Sequence, residues 1–421
     1  MRASARRRAA AMAAAGLLFC SLAGCGAPPA PAATPAPEPS AHLDLPAKAW
    51  WGGPAYYAQF RKAADSGWSS PSFFPLAVFA GKPDQARALK QIGITTYLGV
   101  EHDGSPISSV TSTGMTVLAQ LAEWSPAEIG DDARVVGWNL SDECEMGYSG
   151  CGDDEQTQLA TQRSYAAQAR SREDGRLLQA NFGNGVLGSY WSTTTMADHL
   201  SLVDLSSVDK YAYTSPHVGE LIMDSPAWPA GKNPASSFAY GWVQRQMDGF
   251  SSVAGSKPNW VLVETGKPYL SEAGSSSISP QELRGAVWNA IISGASGIAY
   301  FQHSNDPSCG NYSLVDCAQT RDAVAQLNRQ ITDLAPVLNS PPVQWTVGEG
   351  LQATVRSQGG YVYVMAMTDG GTGQRTLSLP AGLRGNTVEV MGENRTLEVH
   401  DAHFSDSFDN EYSYHIYRIV I

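Results

Sequence analysis

Past residue 70 the chain repeats one pattern, a mostly apolar run of strand length followed by a longer amphipathic stretch. The runs fall at 74–79 (FPLAVF), 94–100 (ITTYLGV), 114–118 (GMTVL), 134–140 (RVVGWNL), 176–182 (RLLQANF), 206–213 (SSVDKYAY), 259–264 (NWVLVE) and 296–302 (SGIAYFQ). Several do not alternate cleanly between apolar and polar, which marks strands buried on both faces. Helix signals fill the gaps. Pro83 opens a helix that Gly93 closes, and 154–174 is long, polar on one face and rich in Ala and Gln. Ser279-Pro280-Gln281-Glu282 forms a capping box, followed by Leu283, Val287 and Ile291 on one face and Gly294 as a stop. Residues 319–334 carry Val324, Leu327, Ile331 and Leu334 at helical spacing. Eight strand-plus-helix units predict an α/β chain built on a (β/α)8 TIM barrel over 48–340. An open doubly wound sheet is the alternative, but no glycine-rich phosphate loop follows the first strand.

After Leu338-Asn339-Ser340-Pro341-Pro342 the pattern shortens to alternating runs at 361–367, 376–379, 387–390, 397–399 and 414–419. Turn signals such as Asp369-Gly370-Gly371 and Gly392-Glu393-Asn394 separate them, so 341–421 is expected to be a small all-β sandwich domain packed on the barrel.

The first residues read as a targeting segment. Arg2, Arg6, Arg7 and Arg8 precede an apolar stretch, 9–23, too short to span a bilayer. Its end, Leu22-Ala23-Gly24-Cys25, resembles the bacterial lipoprotein cleavage box. That resemblance implies a signal peptide at 1–24, a lipid on the Cys25 sulfur and a protein exported to the outer face of the cell membrane. An ordinary signal peptide is the competing reading. The Pro/Ala-rich segment 25–47 cannot bury a core and is expected to be an extended tether.

A net charge of −12 argues against nucleic acid and against electrostatic adhesion to anionic lipid. Cys144 with Cys151, and Cys309 with Cys317, form two local pairs read as disulfides of an oxidising compartment. Zinc is the alternative, but the spacings match no zinc ribbon or finger. There is no HExxH, no clustered His and no calcium loop, so no metal or other cofactor is expected, and a monomer is assumed.

In a barrel of this kind chemistry collects at the C-terminal ends of the strands. Those ends carry Glu101 and His102, Asp142 and Glu143, Asn181, Tyr211 and Tyr213, Glu264, then Gln302 and His303. Glu143 and Glu264 end apolar strands directly, the fourth and the seventh. Two carboxyls across one barrel mouth divide the work of cleaving a glycosidic bond. One, kept neutral, protonates the leaving oxygen; the other, ionised, attacks or stabilises the carbon opposite. Glutamates at these positions resemble clan A glycoside hydrolases, the 4/7 superfamily. The likeness spans roughly 70–340, and the trailing β module is similar to modules appended to such barrels.

The resemblance implies a retaining glycosidase with Glu143 as acid/base and Glu264 as nucleophile, and Tyr211 or Tyr213 hydrogen-bonded to the nucleophile. Asp142 stands where the clan often has Asn, a departure that bears on the usual contact to the sugar 2-hydroxyl. Glu145 is the rival to Glu143. Substrate contacts are expected from Glu101, His102, Asp142, Asn181, Tyr211, Tyr213, Gln302 and His303, with Trp191 as a stacking face for a sugar ring. Loops 214–233 and 267–279 are expected to shape the cleft. The rival from another class is a non-catalytic glycan-binding lipoprotein on the same fold, told apart by turnover of glycosides.

Overall fold

A computed structural model describes residues 43–269, 272–383 and 385–421. Eight parallel strands close into a barrel in chain order. They are β1 (Leu76–Gly81), β2 (Thr96–Val100), β3 (Thr116–Gln120), β4 (Val135–Asp142), β5 (Leu177–Phe182), β6 (Leu205–Asp209), β7 (Asn259–Glu264) and β8 (Gly297–Phe301), with β8 pairing back to β1. The lumen holds one residue set, including Ala77, Leu98, Leu118, Val136, Leu177, Leu205, Leu262 and Ala299. The alternate set, including Val78, Val117, Val135, Leu178 and Val261, faces the surrounding helices. Both faces are therefore covered, and the runs lack alternation for that reason. The lumen's lower end is plugged by Tyr57, Trp68 and Trp260, with the Trp260 Nε1–H donating to the Tyr57 hydroxyl at 3.1 Å.

Several strand bounds depart from the sequence expectation. The first and third strands begin and end two residues later than their apolar runs, the second begins two later, the fourth ends two later, and the sixth stops at Asp209 instead of running to Tyr213. The apolar pattern continues past Asp209 because Tyr211 and Ala212 are buried in the rim, not in the sheet. Helices follow their signals closely. Asp154 caps the helix Glu155–Arg170, and Ser279 makes the full capping box at the start of Pro280–Ile292.

The C-terminal domain holds β9 (Pro342–Val343), β10 (Leu351–Gln358), β11 (Tyr361–Thr368), β12 (Gly373–Ser378), β13 (Thr387–Val390), β14 (Arg395–Glu398), β15 (His403–Phe408) and β16 (Tyr414–Val420). Six form one antiparallel sheet in the order β14-β13-β16-β11-β10-β9, and β12 pairs with β15 as a second sheet. Along β11, Val362, Val364 and Ala366 enter the domain's own core, while Tyr363, Met365 and Met367 pack on the barrel. Against the same surface Tyr414 stacks on Trp288 of the barrel helix Pro280–Ile292, ring centroids 5.2 Å apart. Strand β15 had no apolar signature because Asp406 occupies an inward position between Phe404 and Phe408. The Arg395 guanidinium and the Tyr417 hydroxyl both donate to that carboxylate.

The expected tether ends short of residue 47. Leu43 is buried in the β-domain core and Ala47 bridges to Val343, so the last residues of the Pro/Ala-rich segment pack on β9. The signal segment and Cys25 lie outside the described residues. Both cysteine pairs are disulfides, which removes the zinc alternative for them. Among the described residues no group of three or more His, Cys, Asp or Glu is placed to hold a metal, and no helix is long and apolar enough to cross a membrane.

Candidate active site

The fourth strand places its acids by an abrupt turn. Glu143 takes a left-handed backbone conformation (φ 54°), which few residues other than glycine adopt. Its N–H still donates to the Asn181 carbonyl at 2.9 Å, while its own carbonyl accepts from Met146 and Tyr148. The Cys144–Cys151 disulfide closes this loop, and the Ser149 hydroxyl ties it to the Asp142 backbone. The turn throws two acidic side chains across the end of β5. A Cβ on Gly183 would lie 1.9 Å from Glu143 Oε1, and one on Gly185 would lie 2.2 Å from Glu145 Cγ. The two glycines thus leave open the space in which these carboxyls lie, and a side chain there would displace them. Glu145 is fixed there by the Gly183 N–H, which donates to its Oε1 at 2.7 Å.

Glu143 opens into a cavity of about 290 Å³ over the C-terminal end of the barrel. Phe79, Phe301, Tyr211, Tyr269 and Tyr148 form aromatic walls; Asp142, Asn181, Asp209 and Lys210 supply the polar lining. A second chamber of about 350 Å³ shares Phe79 and Asp142 and runs over β2, β3 and β4 past Gln120, Glu123 and Tyr165. The buried Ser141 hydroxyl, which has no hydrogen-bond partner among the described residues, borders this second chamber.

The polar floor is a chain of oriented side chains. Gln179 donates to Ser207, and Ser207 donates to the Asn181 carbonyl oxygen at 2.6 Å. That fixes the Asn181 amide so that its Nδ2 donates both to Asp142 Oδ1 (2.8 Å) and to Asp209 Oδ1 (3.0 Å). Asp209 lies beside Glu143 on the cavity wall. Burial, then the neighbouring Asp209, Asp142 and Glu145 charges, push Glu143 far above the usual carboxylate range. Asp209 is also raised, by burial and Asp142, so the two share a proton that stays on Glu143 at neutral pH. Burial raises Asp142, and it carries the buried Glu145 up to about 8.

Glu264, at the end of β7, has different surroundings. Burial lifts it to about 7, against opposing pulls from Tyr240, Thr214 and Lys210. The Tyr240 hydroxyl lies 2.7 Å from both carboxylate oxygens, and Thr214 Oγ1 donates at 3.1 Å. Lys210, buried and brought down to about 8, faces Asp209, Glu264 and Glu143 together. Glu264 has no exposed surface and does not itself line the cavity; Lys210, its neighbour, does.

Of the residues expected at the site, Asp142, Glu143, Asn181 and Tyr211 line the cavity. The expectation that Tyr211 or Tyr213 would hydrogen-bond Glu264 is corrected. Tyr211 serves Asp209, and the Tyr213 hydroxyl donates to Glu411 of the β domain at 2.6 Å. The partner of Glu264 is Tyr240, from the helix Ser237–Ala254. Glu145 turns away from the cavity to the Gly183 backbone. Glu101 accepts from Tyr312, and His102 pairs with Glu128 and meets the Trp124 ring edge-on. Gln302 is fully buried and donates to Gln85, while His303 packs between Phe301 and Tyr312. Trp191 is half-buried beside Tyr190 and outside the cavity lining.

Sequence reasoning missed Asp209, Lys210, Tyr240 and Tyr269. The first two were hidden by reading the sixth strand through to Tyr213. Tyr240 lies on a helix, where no strand-end argument reaches it. Phe79 and Phe301 sit at or near the ends of β1 and β8, and the same strand-end reasoning, applied to aromatics, would have found them.

No protein-family model matches the chain, and no curated protein matches it in sequence. Solved structures match it in fold. A glycoside hydrolase family 5 protein from Bacteroides vulgatus ATCC 8482 superposes with a TM-score of 0.51 at 13% identity, covering 83% of this chain and 89% of that one. A structure described as a glycoside hydrolase gives 0.49 at 13% identity, covering 83% and 92%. The glycoside hydrolase family 30 subfamily 8 xylanase Xyn30A from Clostridium acetobutylicum gives 0.47 at 11% identity, covering 83% and 96%. At these identities the likeness is one of fold.

Proposed function

We propose that the protein is a glycoside hydrolase that cleaves O-glycosidic bonds of an oligo- or polysaccharide with retention. Glu143 is the general acid/base and Glu264 the nucleophile. The observation that carries this reading is the unequal seating of two buried carboxyls, one just past β4 and one at the end of β7. Glu143 sits among acids that keep its proton on. Burial raises Glu264 as well, but only to about 7, because a tyrosine, a threonine and a lysine beside it favour its charge. Protonated Glu143 gives its proton to the departing oxygen as Glu264 bonds to the anomeric carbon. Glu143, now a carboxylate, takes a proton from water, and the hydroxide so formed displaces Glu264. Aromatic walls suit the C–H faces of a sugar ring, and Asp142, Asn181 and Asp209 are the groups within reach of its hydroxyls. Because Glu264 is enclosed, attack requires Lys210 or another neighbour to yield when the sugar enters. The N-terminal pattern supports export and a lipid anchor at Cys25, which would hold the enzyme on the outer face of the cell membrane; mass spectrometry of the mature N-terminus tests this.

The enclosure of Glu264 favours a second reading. The accessible carboxyls are Asp142, Glu143 and Asp209. If they work alone, the nucleophile is either water activated by one of them, which inverts the anomeric carbon, or a group of the substrate, as a 2-acetamido oxygen is in substrate-assisted glycosidases. One experiment separates the readings. The protein is first screened for turnover of 4-nitrophenyl glycosides and polysaccharides. It is then treated with the matching 2-deoxy-2-fluoroglycosyl fluoride and digested. A label on the peptide carrying Glu264 supports the nucleophile assignment. Turnover with no label overturns it, in favour of substrate assistance where turnover is confined to N-acetylhexosaminides, and binding without any turnover overturns the enzyme reading.

A further inference from the structure

The β domain reaches into the barrel at one carboxylate. Glu411 lies in the turn between β15 and β16, and its Oε2 accepts from the Ser237 N–H at 3.0 Å and from the Ser237 hydroxyl at 2.7 Å. Its Oε1 accepts from the Tyr213 hydroxyl at 2.6 Å. Ser237 is the first residue of the helix Ser237–Ala254, whose N-cap residue Ser236 makes no side-chain capping bond. Glu411 therefore supplies, from another domain, the anionic cap this helix start lacks.

One turn along that helix stands Tyr240, on the same face as Ser237. The Tyr240 ring stacks on Tyr213 with centroids 5.7 Å apart, and the Tyr213 N–H donates to the Tyr240 oxygen at 3.3 Å. The Tyr240 hydroxyl then contacts both oxygens of Glu264. Glu411 thus grips the two things that fix Tyr240: the helical turn that carries it and the ring it lies against. The grip has a defined seat. Tyr412, next in the chain, presses on Gly285 of the helix Pro280–Ile292, where an added Cβ would lie 2.4 Å from Tyr412 Cβ.

We propose that Glu411 is a positioning residue for the reaction centre, holding Tyr240 so that its hydroxyl bridges both oxygens of Glu264. The proposal rests on the reading that Glu264 takes part in the reaction. It makes the β domain a working part of the site.

The test is a double-mutant cycle in the full chain. The probe is the 4-nitrophenyl glycoside that the wild type turns over fastest. Glu411→Ala should lower kcat at least tenfold while KM stays within about twofold. Placed in a Tyr240→Phe background, the same change should cost less than twofold, because the group it positions is gone. Tyr213→Phe, which removes one of the three contacts, should show the same pattern at smaller scale. It also carries the test if Glu411→Ala fails to fold. Wild-type kcat in Glu411→Ala overturns the proposal. So does an equal fold-loss in both backgrounds, which is what general loosening would give. If Tyr240→Phe alone leaves kcat unchanged, the role of Glu264 fails instead, and the brace with it.

Discussion

Replacing Tyr240 by Phe removes one hydroxyl and leaves the ring stacked on Tyr213. That hydroxyl lies 2.7 Å from each oxygen of a fully buried carboxylate. A hydrogen bond to a charged acceptor is worth about 1.5–3 kcal/mol. Its loss falls on the ionised form of Glu264, so at about 1.4 kcal/mol per decade ionisation becomes roughly 10- to 100-fold less favourable. With Glu264 at about 7 in the intact site, about half is ionised at pH 7. The variant would hold only about 1–10% in that form at the same pH. The acid limb of kcat/KM against pH should therefore move upward by about one to two pH. The loss should be about 10- to 100-fold at pH 6 and shrink to less than about fivefold at pH 8.5. The assay is initial rates on one aryl glycoside from pH 5 to 9. A loss that is the same at every pH would refute the reasoning, because Tyr240 would then not govern the charge on Glu264.

Glu143→Gln should cost about 10²–10⁴-fold on substrates with a poor, alkyl leaving group, and far less on a dinitrophenyl glycoside that departs without a proton; a uniform loss would remove Glu143 as the acid. Gly183→Ala places a methyl 1.9 Å from Glu143 Oε1, a flexible end that can swing aside. Thermal stability should thus change little while kcat falls at least tenfold, and retained activity would show that the carboxyl does not work from this seat. The Cys144→Ser, Cys151→Ser pair reopens a loop of sequence separation 7, for which chain entropy alone predicts about 2.5 kcal/mol of lost stability. Denaturant unfolding reads that loss, and activity should fall further than stability, since Glu143 borders the opened loop.

The barrel was legible because burial on both faces writes itself as continuous apolar runs, and all eight strands overlap the runs read for them. The placement of Glu143 and Glu264 was legible for a related reason: each closes an apolar run, and the structure puts one just past β4 and the other at the end of β7. What stayed hidden was lateral. Asp209 belongs to the site because Asn181 comes to it from the neighbouring β5 and Glu143 from just past β4, and nothing in SSVDKYAY marks where pairing stops. Tyr240 and Glu411 join the centre through helix packing and domain docking, at sequence separations of 24 and 174 from the residues they touch. Residues expected at the rim but found elsewhere, Gln302 and His303, follow β8 directly; their partners, Gln85 and the Ala80 carbonyl, draw them outward from the cavity.

The proton shared by Glu143 and Asp209 makes ligand capture a protonic event as well as a steric one. A sugar that fills the cavity would displace water from that pair and change the surroundings that hold its proton. Complex formation is then expected to take up or release hydrogen ions wherever either carboxyl is moved across the working pH. The heat of association would then depend on the ionisation enthalpy of the buffer, a signature that belongs to this acidic nest and not to the barrel that frames it.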